Sequence, residues 1–183
     1  SPYINGGYNN ESDKITPKTP DGLNVQVINF HSWAYRFANI EYNQTIMQRT
    51  QIDIISSIIS QMNSDASNVL GKSPEFFQEE ISWIKGKLFK DKDEYLDAKR
   101  IGRGTSDRIT KKDKIVIWDV YNRYNMELQN RGKVDFDDYA ILSLNKINNT
   151  SNFSPPFTHI IIDEAQDLNK AQILTISKIV DHE

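Results

Sequence analysis

Most apolar positions in this chain keep helical spacing. Ile55, Ile58, Ile59 and Met62 share one face and predict a helix from about residue 43 to 63. Ser73-Pro74-Glu75 reads as a helix start: an N-cap serine, a proline at the first helical position and an early acid. Phe76, Phe77, Ile81, Trp83 and Ile84 supply the buried surface of that helix. Thr110-Lys111-Lys112-Asp113 resembles a capping box, with Asp in place of Glu. Ile117, Tyr121, Tyr124 and Leu128 then follow at helical spacing, and Gly132 suits the position just past a helix end. A further helix is expected over 135 to 147.

Two segments follow a different pattern. Leu23 to Phe30 alternates partly and is rich in β-branched residues, which predicts a strand running into a helix at His31 to Phe37, with Ser32 or Asn29 near its start. His159-Ile160-Ile161-Ile162 is a β-branched apolar run that ends abruptly in Asp163 and Glu164. A buried parallel strand has this composition, and the helix carrying Ile173, Leu174 and Ile176 follows it. Residues 1 to about 22 hold Gly6, Gly7, Pro17, Pro20 and Gly22 with little periodicity and read as poorly ordered.

Composition narrows the picture only modestly. The 183 residues are 38% hydrophobic and 26% charged, enough for one domain, or one with a small insertion. No apolar run is long enough to span a membrane, and the N-terminus lacks the apolar core of a signal peptide. The chain has no cysteine, which excludes disulfides and thiolate metal sites. These features fit a cytoplasmic protein. The net charge of -3 removes any broad basic footprint, so nucleic-acid contacts would have to come from local patches.

Four segments carry candidate chemistry. At the tip of a strand, Asp163 and Glu164 could divide labour: one holds Mg²⁺ through water and the other polarises an attacking water, the layout of a phosphoryl-transfer site. The plainer reading is a buried strand followed by a solvated acidic loop. Ala66 to Ser73 almost spells a phosphate-binding loop, but Ala66 replaces its first glycine and a helix pattern, not a strand, precedes it. That stretch reads as an inter-helix turn. Lys99, Arg100, Arg103, Arg108, Lys111, Lys112 and Lys114 concentrate cations around Gly102 and Gly104, which suits either phosphate contacts or a solvated loop. Asp135, Asp137 and Asp138 lack the spacing of a calcium loop, so Asp135 is expected to cap the next helix.

Asp163-Glu164-Ala165-Gln166-Asp167 closely resembles motif II, the Walker B element, of superfamily 1 helicases of the UvrD/Rep type. The resemblance implies Asp163 as the Mg²⁺ ligand, Glu164 as the base that orients the hydrolytic water, and Gln166 and Asp167 as coupling residues of the ATP site. Asn29-Phe30-His31-Ser32 is similar to the Thr-Phe-His-Ser segment of the same helicases, with Asn29 in the place of Thr. That makes Phe30, His31 and Ser32 candidate contacts to single-stranded DNA. Arg100 to Thr105 resembles a Gly-Arg-Gly-Thr stretch of a helical insertion associated with duplex DNA, which implies contacts from Arg100 and Arg103. Asp135-Phe136-Asp137-Asp138-Tyr139 is similar to the segment that ends this insertion, with Tyr139 in place of Leu.

The resemblance covers about residues 23 to 180 in the family's own order. It implies an α/β fold: a partial RecA-like parallel sheet, of the P-loop NTPase type, with a large, mainly α-helical insertion. Residues 23–40 and 150–183 would belong to the RecA-like ATPase domain and 41–149 to the insertion. The whole enzyme would use Mg²⁺ and ATP, act on DNA and have no membrane association. No phosphate-binding loop precedes Phe30, and neither motif III nor a second RecA-like domain follows within the 183 residues. The expectation is therefore an internal fragment of an ATP-dependent DNA helicase that neither hydrolyses ATP nor unwinds DNA alone. Two rival readings are a non-catalytic helicase remnant that grips DNA or protein, and an unrelated Mg²⁺-dependent phosphohydrolase.

Overall fold

A computed structural model describes residues 25–63, 66–99 and 109–181. Their regular structure is helical: α1 (Phe30–Phe37), α2 (Gln48–Ser60), α3 (Pro74–Lys87), α4 (Lys92–Asp97), α5 (Lys111–Asn130), α6 (Asp138–Asn149) and α7 (Lys170–Lys178). Short 3₁₀ turns stand at Tyr42–Gln44, Asn68–Gly71 and Ala165–Asp167.

The α/β expectation is overturned, and with it the partial RecA-like parallel sheet. Among the described residues there is no strand; isolated bridges pair Thr45 with Val134 and Phe157 with Val180. The Ile160–Ile162 run lies as irregular chain, with Ile161 98% exposed and Ile162 40% exposed. Residues 25–29 likewise form no strand. A β-branched sequence favours a pleated surface only where neighbours pair its backbone and pack its faces. Neither run has such a neighbour among the described residues, so propensity alone does not hold it in a sheet.

The helices are bounded by the residues that local chemistry selects. Asn29 caps α1, its side chain accepting from the backbone N–H of His31 at 2.9 Å and of Ser32 at 3.4 Å. Ser73 caps α3 by accepting from Phe76 N, with Pro74 at the first helical position. Thr110 and Asp113 form a reciprocal capping box on α5. Gly132 follows that helix at φ +61°, and Lys133 N donates to Leu128 O at 2.8 Å, closing a left-handed C-terminal turn. Ala66 to Ser73 is the capped turn between α2 and α3, held by Ser67 accepting from Val69 N at 3.1 Å. Two predicted helices are shorter than expected at their starts. α2 begins at Gln48, after the 3₁₀ turn, and α6 begins at Asp138, because Asp135 pairs back onto it.

Helices α2 to α5 enclose the main core, including Ile55, Phe77, Ile81, Tyr95, Ile117 and Tyr124. A second, smaller core of Ala34, Ile40 and Tyr139 joins α1 to α6. Helix α7 packs on α6, where the buried Thr175 hydroxyl reaches Ala140 O at 3.2 Å. Helix α3 also meets α7, so the main core and the C-terminal segment share one contact surface.

A Cβ at Gly132 would meet nothing within 4 Å, so only the backbone conformation selects glycine there. Gly132→Ala should therefore cost about 1 kcal/mol of stability without a packing defect. In thermal denaturation that is a drop of a few degrees in Tm with no change in the helical spectrum.

Candidate ATP and DNA site

Asp163 to Asp167 sit on an exposed turn between the irregular Ile160–Ile162 segment and α7. Glu164 adopts left-handed backbone geometry, φ 51° and ψ 42°, which an L residue holds only against steric resistance. The turn supplies the compensation. Asp163 Oδ1 accepts from Glu164 N at 3.0 Å, Asp167 N donates to Glu164 O at 2.9 Å, and Leu168 N donates to Ala165 O at 3.3 Å. The Gln166 amide donates to the Glu164 carboxylate. Asp163, Glu164, Gln166 and Asp167 are all exposed, so they can reach a ligand in solvent. Asn169 then starts α7 with a capping box: Gln172 N donates to Asn169 Oδ1 at 3.0 Å, and Asn169 N donates to Gln172 Oε1 at 2.9 Å.

Among the described residues no group of three or more His, Cys, Asp or Glu side chains converges on a metal position. A donor set of one exposed carboxylate beside a second still fits Mg²⁺. That ion keeps much of its water and takes one or two carboxylates together with the phosphates of a nucleotide.

Phe30, His31 and Ser32 form the first turn of α1. The imidazole of His31 stacks edge-on to three rings: Phe30 at 5.9 Å, Tyr139 at 6.2 Å and Phe136 at 6.3 Å between centroids. The Phe-His-Ser segment and the Asp-Phe-Asp-Asp segment, about a hundred residues apart in sequence, are thus joined through an aromatic cluster. Partial burial among these rings pushes the His31 pKa below its ordinary value, which favours a neutral imidazole near pH 7. Arg100 and Arg103 lie outside the described residues. Two other cations of the basic stretch serve the fold. Lys114 donates to the carbonyls of Tyr95 and Leu96 at 3.0 and 3.1 Å, and Lys111 pairs with Asp97 at 2.9 Å on the surface.

The acid triplet is not a metal site. Asp135 and Asp138 receive the buried ammonium of Lys85 at 2.8 and 2.7 Å. Asp135 Oδ2 also accepts from Tyr124 Oη at 2.9 Å and from Gln51 Nε2 at 3.4 Å, while Asp137 accepts from Ser82 Oγ at 3.0 Å. Asp135 Oδ1 accepts from Asp138 N at 3.1 Å, so Asp135 supports the first turn of α6 from ahead of it, while the capping position itself is Asp137, which makes no side-chain cap bond. Burial alone would lower the Lys85 pKa; the carboxylates of Asp135 and Asp138 outweigh it and raise the pKa, so the ammonium stays charged. Burial, reinforced by Asp135, pushes Asp137 up to about 6. Sequence reasoning missed Lys85. The signal was present: Lys85 follows Ile81 and Ile84 on the apolar face of α3, where a cation needs a buried partner.

A family model for the UvrD/REP helicase N-terminal domain matches residues 10–183, almost the whole chain. The chain belongs to the UvrD/REP helicase family. Comparison with curated proteins returns no match. Helicases of the UvrD/REP family act with ATP and Mg²⁺ on DNA, so ATP-dependent helicase activity is what this membership implies for the full-length protein. No helix of the described residues is long and apolar enough to cross a membrane.

The ion cluster makes two predictions for this UvrD/REP domain. Lys85→Met leaves the buried Asp135 and the half-buried Asp138 without their cation, and should cost about 3–5 kcal/mol at pH 7 in urea denaturation, less at acid pH where the carboxylates protonate. Asp137 behaves oppositely. Its folded pKa is raised from 3.8 to about 6, so the folded state binds its proton more tightly than the unfolded state, and stability is lost as pH rises from about 4 to about 6. His31, with a lowered pKa, contributes with the opposite slope at the top of that window. Asp137→Asn keeps the oxygen that faces Ser82 and removes the charge. The variant should gain stability on wild type across this window and exceed it at pH 7; equal slopes for the two proteins would contradict the assignment.

Proposed function

We propose that this chain is the motif II-bearing part of an ATP-dependent DNA helicase or translocase. The observation that carries the reading is the exposed Asp163–Asp167 turn, with two adjacent carboxylates at its start, lying inside the UvrD/REP match. Asp163 holds Mg²⁺ and Glu164 accepts a proton from the hydrolytic water, so the two carboxylates do different work. The metal supplies neutralisation of the charge on the phosphates. Gln166, tied to the Glu164 carboxylate, and Asp167, tied to the Glu164 carbonyl, hold the base in place and pass its state to the rest of the ATP site. Phe30, His31 and Ser32 line a single-stranded DNA track: the Ser32 hydroxyl suits a phosphate contact, and the neutral His31 suits stacking. Arg100 and Arg103 extend this toward duplex DNA. Residues 41–149 act as the helical insertion, flanked by segments 23–40 and 150–183 that carry the ATP and DNA contacts.

The 183-residue sequence contains no complete phosphate-binding loop, since Ala66 to Ser73 is a capped turn, and hydrolysis needs the phosphate cradle together with the Mg²⁺ ligands. We infer that the isolated chain is inactive and that turnover belongs to the full-length helicase. In that enzyme Glu164→Gln should lower kcat for DNA-stimulated ATP hydrolysis by about 10²–10⁴-fold while ATP binding persists. The isolated 183-residue chain should show no turnover above buffer in the same assay. Undiminished turnover by the Glu164→Gln enzyme would refute the role of Glu164, and turnover by the isolated chain would refute its inactivity.

A further inference from the structure

We propose that Gly86 is a positioning residue for motif II: its missing side chain lets α3 seat against Asn169, so that the helical lobe sets where the Asp163–Asp167 turn stands. The inference rests on the reading of that turn as the ATP-hydrolysis element.

Gly86 is buried one residue before the end of α3. A Cβ at this position would lie 2.9 Å from Asn169 Nδ2 and 3.1 Å from both Asn169 Cβ and Cγ, tight enough that Asn169 would have to shift. Glycine inside a helix costs about 0.5–1 kcal/mol relative to alanine, so close approach is the return for that cost. The other two described glycines, Gly71 and Gly132, have nothing within 4 Å of an added Cβ.

Both sides of the contact are anchored. On α3, the residue before Gly86 is Lys85, clamped by Asp135 and Asp138. On α7, Asn169 cannot swing away without giving up the capping box with Gln172. Ala171 and Thr175 seat the same helix on its neighbours, both buried. From Asn169 the connection to the catalytic turn is short, because Leu168 N and Asp167 N bond back to Ala165 O and Glu164 O. A cleft lies along the same junction, and Asp167 lines it together with Ser82, Trp83, Gly86 and Lys87 of α3. A shift of α3 therefore reaches Glu164 through one side chain and two backbone hydrogen bonds. Displacements below 1 Å at a catalytic base are costly to rate and nearly silent in nucleotide affinity.

The test compares variants of the full-length helicase by hydrogen exchange over residues 163–172 and by steady-state ATP hydrolysis. Gly86→Ala should raise exchange in that segment and lower kcat by about ten- to a hundredfold, leaving KM for ATP within about twofold and exchange across α5 unchanged. Asn169→Ser keeps a capping oxygen and removes the amide nitrogen, the nearest of the crowded atoms, so adding it to Gly86→Ala should restore both readouts in part. Gly71→Ala should change neither. If Gly86→Ala does not fold, Asn169→Ala probes the contact from α7 without added bulk and should give the same split between kcat and KM. Unchanged exchange in 163–172, altered exchange with unaltered kcat, or no rescue by Asn169→Ser would each overturn the proposal. The Glu164→Gln enzyme separates this from a failure of the functional reading. If that enzyme hydrolyses ATP at the wild-type rate, the turn is not the hydrolytic element and Gly86 positions nothing catalytic, whatever the exchange data show of the contact.

Discussion

An ammonium with only 2% of its side chain exposed cannot remain charged without partners, and Lys85 has two carboxylates at hydrogen-bond distance. Much else in the structure follows from satisfying that charge. Asp135 must stay in the chain just ahead of α6, so the segment from Gly132 to Asp138 is drawn against α3 and α5. Tyr124 and Gln51 complete the remaining acceptor capacity of Asp135 from α5 and α2. One buried cation thereby ties together three helices of the main core and the entry to α6. A methionine and apolar partners of similar volume could pack such a site with comparable stability; the ionic version fixes which loop docks where.

The docked loop in turn builds the proposed DNA track. With Asp135 held, Phe136 and Tyr139 present their rings to His31, and the N-terminus of α1 is seated on α6. Thr45 reinforces this by its bond to the Tyr139 hydroxyl at 2.8 Å and its bridge to Val134. The same helix α6 carries α7 on another face, through Thr175. The segment with Phe30-His31-Ser32 and the segment with Asp163 to Asp167 are thus mounted on a common helix.

The contrast between the two acidic clusters is instructive. Asp135 is buried and Asp137 and Asp138 are half-buried, and each has an internal partner in Lys85 or the Ser82 hydroxyl. Asp163, Glu164 and Asp167 stand in solvent on a turn whose bonds are almost all local. Buried acids with internal partners hold the fold, whereas exposed acids on a strained turn remain available to a ligand.

Helix starts, stops and faces were legible in the sequence because they depend on neighbours within one or two turns: the serine and threonine caps, Pro74, Gly132 and the stripe from Ile117 to Leu128 all stand where spacing puts them. Family membership was legible too, since Asp-Glu-Ala-Gln-Asp and its order relative to Phe-His-Ser are properties of the string. The sheet expectation failed because Ile160 to Ile162 and residues 25–29 signal only a preference, and a strand exists only where another strand pairs it. Tertiary structure alone decided that Lys85 neutralises Asp135 and Asp138, that His31 lies against Phe136, and that Gly86 admits Asn169. Each of these is a contact between residues some fifty or more positions apart, and side-chain distance across a packed interface is a quantity that no local spacing encodes.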